Sequence, residues 1–221
     1  MAIWAPVNCG YHATDYQWGK LYQWGRKYGQ GYSGDLYDGN WNVIGEISDA
    51  TTPELSEGGV SLQGGQSEKN KNVFFTCPES PYDWLYLQDD ELWNSGSEAS
   101  PVKTEYDPCP DGWRVPTYAE LSELYRNRSP WTTNESDQLG YWFSGSSSYT
   151  EDVPQVFFPA AGCRSARGDV FHRGDYGNYW SSRPGNNYYS GLVYALNFMS
   201  GSASIGYDSR VYGYSVRCVQ D

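Results

Sequence analysis

Asp107-Pro108-Cys109-Pro110-Asp111-Gly112-Trp113-Arg114-Val115-Pro116-Thr117, continued by Tyr118-Ala119-Glu120, is the stretch whose reading decides the fold. Thr117-Tyr118-Ala119-Glu120 has the form of a capping box, in which the threonine side chain accepts from the Glu120 amide and the glutamate reaches back. Pro116 blocks continuation on the N-terminal side. Leu121, Leu124 and Tyr125 then share one face at helical spacing, so a helix is expected over about 117–128, ending before Pro130. Downstream, the patterns are those of strands and turns: Tyr141-Trp142-Phe143, Gln155-Val156-Phe157-Phe158, Tyr179-Trp180, Leu192 to Met199 and Tyr212 to Val219. In 192–198 the large residues Leu192, Tyr194, Leu196 and Phe198 alternate with Val193, Ala195 and Asn197, which puts the large set toward a core and Asn197 on the other face.

Upstream, residues 1–30 read as two short strands around an aromatic-rich turn, one of them in Lys20–Gly25. Residues 31–72 lack hydrophobic periodicity and read as loop. A loop that long is rare inside a compact domain. It is therefore taken as an insertion, ordered around Trp41, Val43 and Ile47 and extending to about 105. Val73-Phe74-Phe75 reads as a strand, and Tyr82 to Trp93 as one or two helical turns with Leu85, Leu92 and Trp93 buried. One helix among many short strands gives an α+β class, mostly β, with a single domain over 1–221.

Composition narrows the function. The chain has 221 residues with 10 Trp and 21 Tyr, so it is too aromatic for a disordered protein. Its net charge of −12 argues against a nucleic-acid backbone binder. No apolar run is long enough for a transmembrane segment. The charge is uneven: residues 152–221 hold five Asp against six Arg, a net +1, which leaves −13 on the first 151. Cysteines stand at 9, 77, 109, 163 and 218 with no C-x-x-C pair, and an odd count leaves at least one thiol free or intermolecular. The opening Met1-Ala2-Ile3-Trp4 has no signal-peptide pattern, so a trimmed mature domain and a cytoplasmic or virion-borne chain both stay open.

Five motifs occur in order: the 107–117 stretch, the capped helix, Phe158-Pro159-Ala160-Ala161-Gly162, Tyr179-Trp180-Ser181-Ser182, and Tyr214-Ser215-Val216-Arg217-Cys218-Val219. This series resembles the Fibrobacter succinogenes major paralogous domain family, common in gut Bacteroidetes. Trp4-Ala5-Pro6-Val7-Asn8 and Tyr22-Gln23-Trp24-Gly25 look like its N-terminal blocks. The family is similar in turn to the C-type-lectin-like fold of formylglycine-generating-enzyme-like proteins. The resemblance implies a small antiparallel sheet with the termini close together and a disulfide between Cys109 and Cys218. Cys163 stands where the family often has an aromatic residue, and it reads as a buried free thiol.

The same fold serves the variable proteins of diversity-generating retroelements, whose diversified segment lies at the C-terminus of the domain. Here residues 174–215 contain 8 Tyr, 8 Ser, 7 Gly and 4 Asn, which make up 27 of 42 positions, and no Lys or Glu. That is the composition of a paratope, where tyrosine supplies rigid amphipathic area and Ser, Gly and Asn adapt their hydrogen bonds. The ligand-facing set expected is Asp175, Tyr176, Asn178, Asn186, Asn187, Tyr188, Tyr189, Asn197, Ser202, Ser204, Tyr207, Asp208 and Tyr212. Trp180, Leu196, Phe198, Val216 and Cys218 are the scaffold between them. The expected partner is a protein ligand, met at a cell or virion surface, with a glycan as the alternative. A structural domain of a surface or phage tail protein is the third reading.

Other chemistry finds little support. His12 and His172 have no nucleophile motif beside them. The spacing of 163 and 218 does not match the cysteine pair of the formylglycine-generating relatives, so their oxidase activity is not carried over. Asp89-Asp90-Glu91 reads as a solvated helix start, and the calcium-dependent sugar motifs of animal C-type lectins are missing. The Arg-Gly-Asp triplets at 167–169 and 173–175 arise easily in glycine-rich loops. No catalytic residue, metal or cofactor is assigned.

Overall fold

A computed structural model describes residues 2–14, 16–31, 34–37, 43–47, 55–56, 74–75, 82–85, 88–145, 154–185 and 191–221. In chain order come β1 (Leu21–Gln23), β2 (Gly34–Tyr37), β3 (Val43–Ile47), β4 (Leu55–Ser56), β5 (Phe74–Phe75) and β6 (Trp113–Arg114). The helix α1 (Tyr118–Leu124) follows, then β7 (Thr132–Thr133), β8 (Leu139–Phe143), β9 (Val156–Pro159), β10 (Cys163–Arg164) and β11 (Val170–Phe171). The chain closes with β12 (Tyr176–Pro184), β13 (Leu192–Met199), β14 (Ser202–Ser209), β15 (Gly213–Ser215) and β16 (Val219–Gln220). The class is α+β with mostly β content.

The capping box forms as its residues dictate. Thr117 Oγ1 accepts from the Glu120 amide at 3.3 Å, and Glu120 Oε2 accepts from the Thr117 amide at 2.8 Å. Glu120 also takes both Arg114 amino groups, at 2.7 and 2.8 Å, which ties the helix to β6. Leu121 and Leu124 are buried, as their spacing requires. The helix stops at Leu124, earlier than expected. Asn127 and Ser129 leave to pair with the end of β8, through Ser144 N–H to Asn127 O and Ser129 N–H to Trp142 O.

Three other expectations are corrected. Among the described residues of 31–72, β2 and β3 form an antiparallel hairpin and β4 pairs in parallel with β5, so this stretch is not loop throughout. Trp41 and Val73 lie outside the described residues. Residues 1–30 hold one strand, β1, with only isolated bridges at Trp4, His12 and Gln30. The described residues of 82–93 form turns rather than a helix. Asp83 Oδ1 accepts from the Leu85 amide and Asp89 Oδ1 from the Glu91 amide, and such local bonds compete with the helix. Leu92 and Trp93 are buried there, and Leu85 is half-buried.

The main sheet runs β11-β10-β15-β12-β13-β14, with β1 added against β15. Its pairs are antiparallel except β12 with β15. Side chains alternate across the sheet, and two cores form. On one face Tyr179, Leu196 and Phe198 pack with Leu121, Leu124 and the β8–β9 aromatics Tyr141, Phe143 and Phe158. On the other, Trp180, Val193 and Ala195 pack with Trp24, Trp84, Trp93 and Tyr214. The buried indoles all find carbonyls: Trp24 donates to Ser181, Trp84 to Trp24, Trp93 to Arg26 and Trp180 to Tyr22, at 2.7–3.2 Å.

The chain ends run together. Trp4 bridges Val219, and Ala5 and Cys9 donate to the carbonyls of Cys218 and Val216. Cys109 and Cys218 are disulfide-bonded across a separation of 109 residues, and Cys163 is free and buried, as the resemblance implied. Closing a loop of that length removes entropy from the unfolded chain. The Cys109→Ser/Cys218→Ser double variant should lose about 4–5 kcal/mol of unfolding free energy in urea denaturation. A loss under 1 kcal/mol would mean that the bridge adds little to the packing already holding the two ends.

Candidate functional site

The three-stranded meander β12–β13–β14 buries Tyr179, Leu196 and Phe198 on one face, where Tyr194, Ile205 and Tyr207 are half-buried, and its other face is core only in part. Register defines the second face: Tyr176, Met199 and Ser202 lie abreast, then Asn178, Asn197 and Ser204, then Trp180, Ala195 and Gly206, with Val193 beside Asp208. Trp180 and Val193 are sealed by the aromatic cluster, whereas Met199, Ser202 and Ser204 are exposed.

Between those ends lies a groove. Gly206 forms its floor, whereas Ala195 beside it is fully buried in the aromatic core. A Cβ placed on Gly206 would meet only Asn197 Nδ2, at 3.4 Å. One wall is an aromatic ladder in which Trp180 stacks on Tyr214 at 4.3 Å and Tyr214 on Tyr212 at 5.9 Å, with Tyr212 outermost and half-buried. The other wall is polar. Asn197 Nδ2 donates to Asp208 Oδ2 at 3.0 Å, and the Tyr214 hydroxyl, reaching across β12 and β13, bonds the same carboxylate. Asn197 Oδ1 is enclosed with no hydrogen-bond partner among the described residues.

Burial pushes the Asp208 carboxyl above the usual carboxylate range, and the bonds from Asn197 and Tyr214 oppose that rise only in part. Burial likewise pushes up the Tyr214 and Tyr212 hydroxyls, with the negative charge of Asp208 adding to both. The Cys163 thiol, packed in the same cluster as Tyr214, is raised to about 12 by burial, so it is no nucleophile at neutral pH.

Of the expected site residues, Asn178, Asn197, Ser202, Ser204 and Asp208 share this face, but Asn178 is buried there rather than ligand-facing, and Tyr176 stands at the edge beside the His172 ring. Tyr212 joins them through the ladder. Asp175 is exposed in the turn before β12. Tyr207 goes to the opposite face. Its hydroxyl donates to that of Tyr194 at 2.7 Å, and Tyr194 stacks on Tyr118 of α1. Asn186, Asn187, Tyr188 and Tyr189 lie outside the described residues. Sequence reasoning passed over Tyr214 and Gly206, both essential to the groove. The alternation Ser202, Ser204, Gly206, Asp208 was the available signal, because it marks one polar strand face.

Two other places were weighed. A concavity of about 440 Å³ lies between Tyr11, Trp18, Asn134, Gln138 and Arg217. Its polar groups already serve one another: Arg217 donates to Asn8 and Ala5, Asn8 to Trp18 and Tyr179, Asn134 to Gln138, and Gln138 to Gln17. The sulfurs of Cys9, Cys109 and Cys218 lie within 4.8 Å of one another, the one metal-like grouping among the described residues. Two of them share the disulfide, and burial raises the Cys9 thiol to about 11.

A protein-family model described as a domain of unknown function (DUF8237) matches residues 127–219. That span runs from the end of the helical region through β16 and includes the whole groove-bearing meander. No curated protein and no solved structure matches the chain.

The raised Asp208 carboxyl has a thermodynamic consequence. A native-state pKa above the unfolded value contributes stability at acid pH that is lost as pH rises through the native pKa. Asp208→Asn abolishes that loss. The melting temperature of the variant relative to the parent should therefore be higher at pH 7 than at pH 3. A difference that is constant with pH, or reversed, would contradict the burial of this carboxylate.

Proposed function

We propose that this chain is a ligand-binding display domain on a C-type-lectin-like scaffold, acting at a cell or virion surface. The open face of β12–β14 receives a protein ligand. One observation carries the reading: the expected polar residues Asn197, Ser204 and Asp208 stand on a single sheet face beside the open space over Gly206, while Tyr179, Leu196 and Phe198 of the same strands build the core. This is how a scaffold separates folding from recognition, because period-two alternation sends each substitution to only one of the two tasks.

The chemistry of the face agrees. Tyrosines that stack on one another lose little further entropy on binding, and serine and asparagine supply adaptable hydrogen bonds beside them. Retroelement diversification belongs to the same reading. It would vary the open face and leave Tyr179, Leu196 and Phe198 alone. A glycan ligand is the second reading, favoured by the half-exposed ring of Tyr212 at the end of the ladder.

Gly206→Val tests the proposal without touching the core. A valine there fills the groove, and an interior glycine of a strand is replaced by a residue that favours β structure. Peptides selected from a random phage-displayed library on the parent chain should lose affinity for the variant by at least about tenfold, roughly 1.4 kcal/mol. Its melting temperature should stay level or rise. Equal binding of the selected peptides to both proteins would place recognition elsewhere. Binding to a glycan array, competed by free sugar and indifferent to chelator, would favour the second reading.

A further inference from the structure

We infer that the groove takes a cationic side chain of a protein partner, an arginine or lysine whose charge rests against Asp208. This rests on the reading of the open face as the binding surface, and it names the chemistry that the surface selects.

The argument begins with how this protein treats its other enclosed carboxylates. Asp83 has Arg210 at 3.7 Å, Asp107 has Lys103 at 3.5 Å, and Glu120 has Arg114 at 2.7 Å. Each is matched by a cation, the usual condition for holding a carboxylate away from water. Asp208 has no such cation, a lack it shares among the described residues with Glu98, one of whose oxygens is enclosed without a partner. Its partners are the Asn197 amide and the Tyr214 hydroxyl, both neutral donors. Arg210 stands only two positions along the chain, yet its guanidinium turns the other way, to Asp83, Asp90 and the Asp89 carbonyl. The fold therefore leaves a half-buried negative charge at the groove without its own counter-ion.

Three features around Asp208 fit a cation with N–H donors. Asn197 Oδ1 lies enclosed and without a partner on the side chain that bonds Asp208, so a second acceptor waits beside the carboxylate. Tyr212, outermost in the ladder and half-buried, presents aromatic surface near it, and the faces of such rings attract ammonium and guanidinium groups. The floor at Gly206 is open, with room for the apolar stem of a long side chain. The chain as a whole carries −12, which draws in a cationic partner from a distance. A bare calcium ion is a poorer fit, because one carboxylate and one amide oxygen fall well short of the six to eight oxygens that it takes.

The probes are Nα-acetyl-arginine amide and its neutral isostere, Nα-acetyl-citrulline amide, followed by NMR at the Gly206 amide and the Asn197 side-chain amide. The arginine probe should shift both signals saturably and bind at least about tenfold more tightly than the citrulline probe. Asp208→Asn should erase that preference while the protein stays folded, and Gly206→Val should remove binding with Asp208 still in place. If both probes bind alike, or if Asp208→Asn keeps the preference for arginine, the cationic subsite is overturned. In that event, library-selected peptides that still lose binding to Gly206→Val leave the broader reading standing. If neither probe binds the groove and the selected peptides are indifferent to Gly206→Val, both fall together.

Discussion

The stacking of Trp180 on Tyr214 is the contact on which the rest of the structure depends. Trp180 is fully buried, and its indole N–H donates to the Tyr22 carbonyl at 2.7 Å, which anchors β12 to the N-terminal region. Tyr214 lies flat against it and carries its hydroxyl across two strands to Asp208. On the other side of the same strand, Tyr179 stacks on Phe198 and donates to the Pro159 carbonyl at 2.7 Å. β12 is thus clamped from both faces, and the groove beside it is built from side chains already held in place. A preformed surface of this kind loses less entropy when a ligand binds.

The clamp explains why an acidic, tyrosine-rich chain can carry a polar groove on its main sheet. Two cores meet at β12, one of aromatics from β8 and β9 with the leucines of α1, the other of tryptophans from the first half of the chain. Between them they stabilise the meander enough to tolerate an uncompensated carboxylate, an unpartnered amide oxygen and a glycine in mid-strand. Such departures from local consistency are expected where a surface is shaped for something other than folding. All three fall within one groove, at Asp208, Asn197 and Gly206.

Local signals were the most legible part of the fold. The capping box at Thr117 and Glu120 is complete within four residues, so the helix start was readable, whereas its end depends on pairing with residues 142–144 and was not. Leu192–Met199 announced itself by alternation. That its small set, Val193 and Ala195, is buried as well could not be read, because the tryptophans that cover them, Trp24, Trp84 and Trp93, come from the first half of the chain. Ser202–Ser209 has few residues of strong β preference and is a strand because β13 templates it along eight paired positions. The same register explains the site. Composition picked out Asn178, Asn197, Ser204 and Asp208 together with Tyr207, but only the pairing shows that Tyr207 points to the helix. The Cys109–Cys218 bridge was legible only through the family resemblance, since five cysteines allow many pairings.

The central claim is that the open part of one face of β12–β14 serves recognition, while the opposite face and the buried Trp180, Val193 and Ala195 serve folding. An alanine scan along these strands, scored in parallel for melting temperature and for binding of a library-selected peptide, tests it most directly. The account predicts a period-two pattern in the binding losses. Tyr179, Leu196 and Phe198, with Trp180 and Val193 on the sealed part of the other face, should lower the melting temperature sharply, while Asn197, Ser204 and Asp208 should lose binding with little change in melting. Binding losses that follow the melting temperature at every position, or that fall on both faces equally, would contradict it.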